Sequence, residues 1–259
     1  MHTLQDKYNT LLKQYKIEVL NKVDASNFKQ YNEVLFSAHS CAIEGNSFTI
    51  DETRELKEKG LDLKLHNKSL FEAYEIIDHF NAYAYLMARI DEPLTESLLK
   101  ETHALLMKNT LTYRTGENSG EYTDKMMSAG ETIFGDPKKN IESVPKLLKQ
   151  TQQVIDENEI HPIIISASFH QFFIYLHPFR DGNGRLGRLF SNWILTKLKH
   201  PQVIIESQNK QTYINSLKSS HKHRNNSPIQ TFFFETAITK MQNEIKQSTT
   251  DNASNFNIK

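Results

Sequence analysis

Apolar residues recur every three or four positions along most of the chain, and few glycines or prolines interrupt that rhythm. The spacing predicts helices over residues 4–20, 28–44, 51–59, 68–90, 95–108, 141–157, 162–176, 185–199, 208–222 and 228–246. Residues 163–176 are apolar nearly all round, which predicts a buried central helix. Downstream, apolar positions 186, 189, 190, 193 and 194 form the stripe of an amphipathic helix. The longest stretch without helical rhythm is 111–140. Within it, residues 120–123 and 126–133 predict a β-hairpin with Gly130 in its turn. Residues 248–259 are polar and expected to be disordered. The fold class read from this pattern is all-α with one small hairpin, and no internal repeat is visible.

Composition narrows the partners more than the fold. Lys and Arg total 31 and Asp and Glu total 31, so no overall charge pulls the chain towards nucleic acid. Fifteen Phe and ten Tyr supply enough large side chains for a core. Cys41 is the only cysteine, which excludes an intrachain disulfide and is compatible with a reducing compartment. The first residues lack the apolar core of a signal peptide, and no apolar run of about 18 residues appears. The expectation is a cytoplasmic protein that engages neither membrane nor nucleic acid.

Candidate chemistry concentrates in residues 177–188, His-Pro-Phe-Arg-Asp-Gly-Asn-Gly-Arg-Leu-Gly-Arg. Pro178 biases His177 away from helical angles, so the imidazole is expected where the preceding helix ends. Phe179 is expected to anchor the loop in the core. Gly182 and Gly184 let the backbone approach a ligand closely, and a loop feeding a helix start exposes unpaired amides to an anion. Two arginines at the positive end of a helix macrodipole are locally unfavourable, a conflict that polyphosphate would remove. Asp181 suits a Mg²⁺ held by one carboxylate and substrate phosphates, and His177 suits a general base near neutral pH. Taken singly, each feature has an ordinary structural role. Their conjunction within twelve residues favours a site.

These twelve residues resemble the Fic family signature H-x-F-x-[D/E]-G-N-G-R-x-x-R at every fixed position: His177, Phe179, Asp181, Gly182, Asn183, Gly184, Arg185 and Arg188. The resemblance implies a Fic-type helical bundle that transfers AMP from ATP to a Ser, Thr or Tyr hydroxyl of a target protein. It implies that His177 deprotonates the hydroxyl and that Asp181 holds Mg²⁺. Gly182, Asn183 and Gly184 would form the anion hole, with Arg185 and Arg188 on the outer phosphates. Related Doc proteins phosphorylate instead, but their loop differs where this chain keeps both glycines. On this basis residues 35–246 are expected to form the Fic domain, 1–34 a helical extension and 247–259 a tail. Self-modification and a homodimer are compatible with it.

A second motif lies upstream, where residues 40–46 read Ser-Cys-Ala-Ile-Glu-Gly-Asn. Gly45-Asn46 is a helix stop, which puts Glu44 at a negative helix end that disfavours a carboxylate unless a cation compensates. Thr49 and Glu52 make a capping box for the next helix. Ser40, Glu44 and Gly45 match the family's inhibitory pattern [S/T]-x-x-x-E-[G/N]. The resemblance implies that Glu44 pairs with Arg188 and obstructs the γ-phosphate, with AMP removal as an alternative role for the same glutamate. By the same resemblance the hairpin, with Met126, Met127 and Ser128, is a flap that aligns the target's backbone. The usual G-x-Y-R pattern before it is broken, because Thr123 follows Tyr122. Tyr213 and Asn215 are weak candidates for an adenine pocket.

Two other classes fit these residues less well. A zinc hydrolase needs converging ligands, and His170 and His177, seven residues apart, are separated by about 10 Å along a helix. A non-enzymatic nucleotide-binding regulator would tolerate decay of the signature, and none is seen. A protein phosphotransferase on the same fold remains the nearer alternative.

Overall fold

In the computed structural model, residues 2–62, 64, 67–129 and 132–249 are described. They form an all-α bundle with one two-stranded hairpin. The helices are α1 (His2–Tyr15), α2 (Ala25–Ile43), α3 (Ile50–Lys59), α4 (Leu70–Met87), α5 (Glu96–Leu106), α6 (Leu111–Thr115), α7 (Asn140–Glu157), α8 (Pro162–Leu176), α9 (Asn183–Lys197), α10 (Lys210–His223) and α11 (Ser227–Thr249). Every helix read from the periodicity is present, with ends displaced where a cap lies outside the apolar rhythm. Helix α2 starts at Ala25 because the Asp24 carboxylate accepts the Asn27 amide at 2.9 Å. The expected capping box opens α3, with Glu52 N–H donating to Thr49 Oγ1 at 3.2 Å and Thr49 N–H to Glu52 Oε2 at 2.7 Å. The first helix ends in a π-helical turn, Lys16–Leu20.

Four expectations are corrected. The stretch 111–140 holds the one-turn helix α6, too short for periodicity to register. The hairpin pairs β1 (Ser128–Ala129) with β2 (Thr132–Ile133), Ser128 opposite Ile133, and residues 120–123 form no strand of it. The Thr123 amide instead donates to Pro178 O at 2.9 Å, tying that segment to the candidate loop. Helix α8 is not buried all round: Phe172 and Tyr175 stand 49% and 38% exposed. Helix α11 runs to Thr249, so residues 248 and 249 of the expected disordered tail are helical; Gly130, expected in the turn, and residues 250–259 lie outside the described residues.

The most extensive helix contact is α8 against α9. Gly187 permits it, since a Cβ there would lie 3.1 Å from His170 Nδ1. The main core gathers Phe169, Phe173, Phe179, Phe190 and Trp193 with residues of α4, α5 and α7. A second cluster joins Tyr8 and Tyr15 near the chain start to Phe233 and Phe234 of α11, and a third joins α2, α3 and α4. Position 34/35, the domain boundary expected above, falls inside α2.

Candidate active site

The loop between α8 and α9 is held from both sides. Phe179 is fully buried and stacks on His103 of α5, ring centroids 3.8 Å apart and planes 10° from parallel. His103 Nδ1 accepts the Gly120 amide at 2.8 Å, so its Nε2 carries the proton and donates to Asp181 O at 3.0 Å. Asn183 turns its side chain inwards and clamps the loop, accepting Phe179 N–H at 3.0 Å and donating to Phe179 O at 2.7 Å. Only the backbone of Asn183 is thus available to an anion. Gly182 adopts φ +78°, and a Cβ there would approach Met107 Sδ to 2.7 Å, which restricts this position to glycine.

His177 ends α8, as expected, and takes the left-handed region at φ 49°. Its amide still bonds Phe173 O at 3.1 Å, which favours the strained conformation at the pocket. The imidazole stacks on Phe134, just after the hairpin, at 3.7 Å and 9°. His177 Nδ1 lies 3.3 Å from Ile174 O, so Nδ1 carries the proton and Nε2 keeps a free lone pair. Burial pushes the imidazole down to about 4, against the opposing pull of the Ile174 carbonyl, Glu44 and Asp181. At neutral pH the ring is therefore uncharged and able to accept a proton.

Asp181 belongs to a closed ring of four charges. Its Oδ2 meets Arg114 Nη1 at 3.1 Å and its Oδ1 meets Arg185 Nη2 at 3.5 Å. Glu75 of α4 closes the ring, with Oε1 at 3.0 Å from Arg114 Nη2 and 3.4 Å from Arg185 Nη1. Burial opposes ionisation of Asp181, but Arg185, the Gly182 amide and Arg114 together hold its carboxyl below the usual carboxylate range. Arg185 is 1% exposed and does not line the pocket beside His177, so its expected place on outer phosphates is not one it holds in this state. Asp181, by contrast, is 32% exposed. Among the described residues no cluster of three or more His, Cys, Asp or Glu could cage a metal. A single part-exposed carboxylate fits Mg²⁺ that arrives on phosphates and keeps waters, and does not fit a protein-caged ion.

The start of α9 meets the end of α2. Arg188, in the second turn of α9 and 3% exposed, donates through Nη2 to Glu44 Oε1 and to Ser40 O, both at 2.8 Å, and through Nε to Ser40 Oγ at 3.1 Å. Glu44 is the C-cap of α2, at the helix end where a carboxylate is disfavoured. Arg188 and the positive start of α9 compensate it. Gly45 follows at φ +106° and turns the chain away. The Glu44 carboxylate lies so close over Gly184 that any Cβ at that position would overlap it. Burial opposes ionisation of Glu44, yet Arg188 and Arg185 outweigh it and hold the carboxyl below the usual range.

Glu44, Gly184, Arg188 and His177 all line one pocket of about 280 Å³. Ile174, Tyr213, Ile214 and Leu217 give it an apolar wall beside Lys210, Lys218 and His221, and Thr132 and Phe134 of the hairpin segment line it too. Tyr213 takes part, although its hydroxyl is engaged by His170 Nε2 at 2.7 Å. Asn215 does not: it is exposed and accepts from Gln211 at 2.9 Å. Met126 is 59% exposed, Ser128 is exposed, and Met127 Sδ contacts Arg180 Nη1 at 3.0 Å. Sequence reasoning missed Glu75, His103, Arg114 and Phe134. For His103 one signal existed, its place four residues after Leu99 on the same face of the predicted helix 95–108. For Glu75 and Arg114 none did, because the first reads as an ordinary helix-surface charge and the second as an ordinary loop charge.

Residues 93–195 match the family model described as Fic/DOC family. The chain is 27% identical over 225 residues to the protein adenylyltransferase Fic of Nematostella vectensis, covering 81% of this chain and 52% of that one. It is 29% identical over 187 residues to that of Drosophila grimshawi, covering 71% and 37%. The chain thus spans about half or less of the length of these curated relatives. Among solved structures, a Fic-domain signalling protein from Bacteroides thetaiotaomicron superposes with a TM-score of 0.82 at 21% identity, over 95% of this chain and 98% of that one. Fic-1 from C. elegans superposes with a TM-score of 0.80 at 21% identity, over 97% and 74%. Residues 93–195, which match the Fic/DOC family model, thus include the complete signature and bring its His177, Gly184 and Arg188 to one pocket.

Proposed function

We propose that this chain is a protein adenylyltransferase that transfers AMP from ATP to a hydroxyl side chain of a target protein. The observation that carries the reading is the uncharged His177, with Nε2 free, in one pocket with the Gly184 backbone and Arg188. In the transfer, the hydroxyl oxygen bonds to the α-phosphorus while its proton passes to His177 Nε2. The bond from the α-phosphorus to the bridging oxygen breaks, and pyrophosphate leaves. Backbone amides at the start of α9 face the charge that builds on the phosphates, a type of stabilisation often worth about 3–4 kcal/mol per donor. Asp181 would hold Mg²⁺, which would supply charge neutralisation to the phosphates. The apolar wall from Ile174 to Leu217 suits a nucleobase, and the hairpin edge at Thr132 and Phe134 borders the place where a target segment would lie. The curated relatives named as adenylyltransferases support this chemistry over phosphotransfer. A relative of the same fold was solved in complex with adenylylated Cdc42, consistent with a protein target.

The same geometry supports autoinhibition. The Glu44 carboxylate stands over Gly184 and occupies the bonding capacity of Arg188, where a terminal phosphate would otherwise be gripped. The test is incubation of purified protein with α-labelled and, separately, γ-labelled ATP in Mg²⁺ buffer. Label transfer from the α-position alone, lost in His177→Ala, supports adenylyl transfer. Transfer of the γ-label moves the assignment to phosphotransfer.

A further inference from the structure

Tyr213 and His170 form a buried polar pair that the transfer described above leaves without a task. The Tyr213 hydroxyl, on α10, lies 2.7 Å from His170 Nε2, on α8. Tyr213 is 3% exposed and His170 is fully buried. Their surroundings are aromatic: the Phe232 ring centroid lies 5.9 Å from that of Tyr213, and the Phe233 centroid 5.6 Å from that of His170. Apolar side chains would fill such a place without burying a hydroxyl and an imidazole, so packing alone does not account for the pair.

Arg188 does. Its guanidinium is in hydrogen-bonding contact with the same Tyr213 hydroxyl. Arginine has no acceptor, so the Tyr213 oxygen accepts from Arg188 and its own proton is left for His170 Nε2. That arrangement needs an uncharged imidazole. Burial first, and then the charge of Arg188, push His170 down to about 3, so at neutral pH Nε2 is able to accept. The other hydrogen-bond partners described for Arg188, Ser40 Oγ, Ser40 O and the Glu44 carboxylate, all belong to α2 or its cap. Whatever withdraws Glu44 therefore disturbs Ser40 with it. Tyr213 and His170 sit on α10 and α8 instead, and α8 makes the most extensive contact with α9, the helix that carries Arg188. Their hold on the guanidinium does not depend on α2.

We propose that Tyr213, its hydroxyl fixed by His170, is a positioning residue that keeps Arg188 aimed into the pocket once Glu44 is withdrawn, and so sets the preference for a nucleotide with a terminal phosphate. A guanidinium is planar and grips phosphate through paired N–H groups, so its orientation matters as much as its charge. Held at the hydroxyl, it meets the phosphate in one orientation and loses less freedom on binding. The tyrosine acts through Arg188 and not by touching the phosphate. Its ring lines the pocket in any case, which separates what the ring does from what the hydroxyl does. The proposal rests on the reading of Arg188 as the group that grips the terminal phosphate; it does not depend on which group is transferred.

The test is calorimetric titration with α,β-methylene-ATP and α,β-methylene-ADP in Mg²⁺ buffer, two probes that differ by the terminal phosphate and cannot release AMP. The background is the full chain carrying Glu44→Gly and Ser40→Ala, which leaves Tyr213 as the side-chain partner of Arg188 described above. Adding Tyr213→Phe, which keeps the ring and removes the hydroxyl, is expected to weaken the triphosphate about tenfold and the diphosphate by no more than about twofold. His170→Leu should reproduce that split, and His170→Gln, which restores an acceptor near the Nε2 position, should recover most of it. Tyr213→Phe is the near-isosteric change, so the outcome does not depend on His170→Leu folding. Arg188→Gln should show the split by itself, and Tyr213→Phe added to it should change nothing more. Equal losses for both probes, or a loss that adds to that of Arg188→Gln, overturn the positioning role and leave Tyr213 as a wall for the base. A split in Arg188→Gln without one in Tyr213→Phe overturns this proposal alone. No split in Arg188→Gln overturns the reading of Arg188, and this proposal with it.

Discussion

Replacing Glu44 by glycine isolates one contact whose size is readable from its geometry. Arg188 Nη2 donates to Glu44 Oε1 at 2.8 Å, a charge-assisted bond of the kind worth about 1.5–3 kcal/mol. The Glu44 side chain is 38% open to the pocket, so solvent screening reduces that to about 1–2 kcal/mol. If this energy holds Arg188 away from the terminal phosphate, its removal returns roughly 5–30-fold in transfer rate, at 1.4 kcal/mol per factor of ten. Arg188, 3% exposed, keeps Ser40 Oγ and Ser40 O as partners after the change. The variant should therefore fold, with a Tm lowered by a few degrees for a loss of about 1 kcal/mol in a chain of this size. The assay is initial-rate incorporation from α-labelled ATP, alongside calorimetry. Glu44→Gln, which keeps the shape and loses the charge, should fall between the two proteins. Equal rates for wild type and Glu44→Gly would refute the reasoning, as would Glu44→Gln matching Glu44→Gly.

Three further outcomes follow from the same geometry. Gly184→Ala puts a methyl where the Glu44 carboxylate now lies, so incorporation should be lost and not recovered in Gly184→Ala/Glu44→Gly; a double variant as active as Glu44→Gly contradicts the backbone cradle. Phe134→Ala removes the ring stacked on His177, so the imidazole should titrate closer to 6.5 than to about 4 by NMR, and turnover should drop; an unmoved titration separates the hairpin from the base. Burial depresses His103, His161, His177 and His200 to about 4 and His170 to about 3, from an ordinary value of 6.5. Each binds a proton less readily folded than unfolded, so between these values the unfolded chain holds more protons and stability rises with pH. Tm should therefore fall steadily from pH 6.5 towards 4, and a flat profile there refutes their burial.

What the sequence disclosed and what it hid divide along a physical line. Helices with long apolar periods were legible, as were the capping box at Thr49 and the stop at Gly45, because each is written in adjacent residues. His177, Asp181 and Gly184 were legible because twelve contiguous residues carry them. Glu44 opposite Arg188 was legible only through resemblance, 144 residues apart in the chain. The ring of Asp181, Arg185, Glu75 and Arg114 was not, since nothing local marks which surface charges a bundle will bring together. The inward turn of the Asn183 amide, the burial of Arg185 and the stack of Phe134 on His177 depend on tertiary packing alone. Asn215 shows the converse error: a residue placed near the pocket by pattern faces solvent once α10 is wound.

The central claim is that His177 and the start of α9 move an adenylyl group. Intact-mass spectrometry of Glu44→Gly after incubation with ATP and Mg²⁺, alone and with a cell lysate, tests it most directly. The account predicts adducts of one AMP on a hydroxyl side chain, absent when His177→Ala is added. Adducts of one phosphoryl group, or AMP adducts that persist without His177, would contradict it.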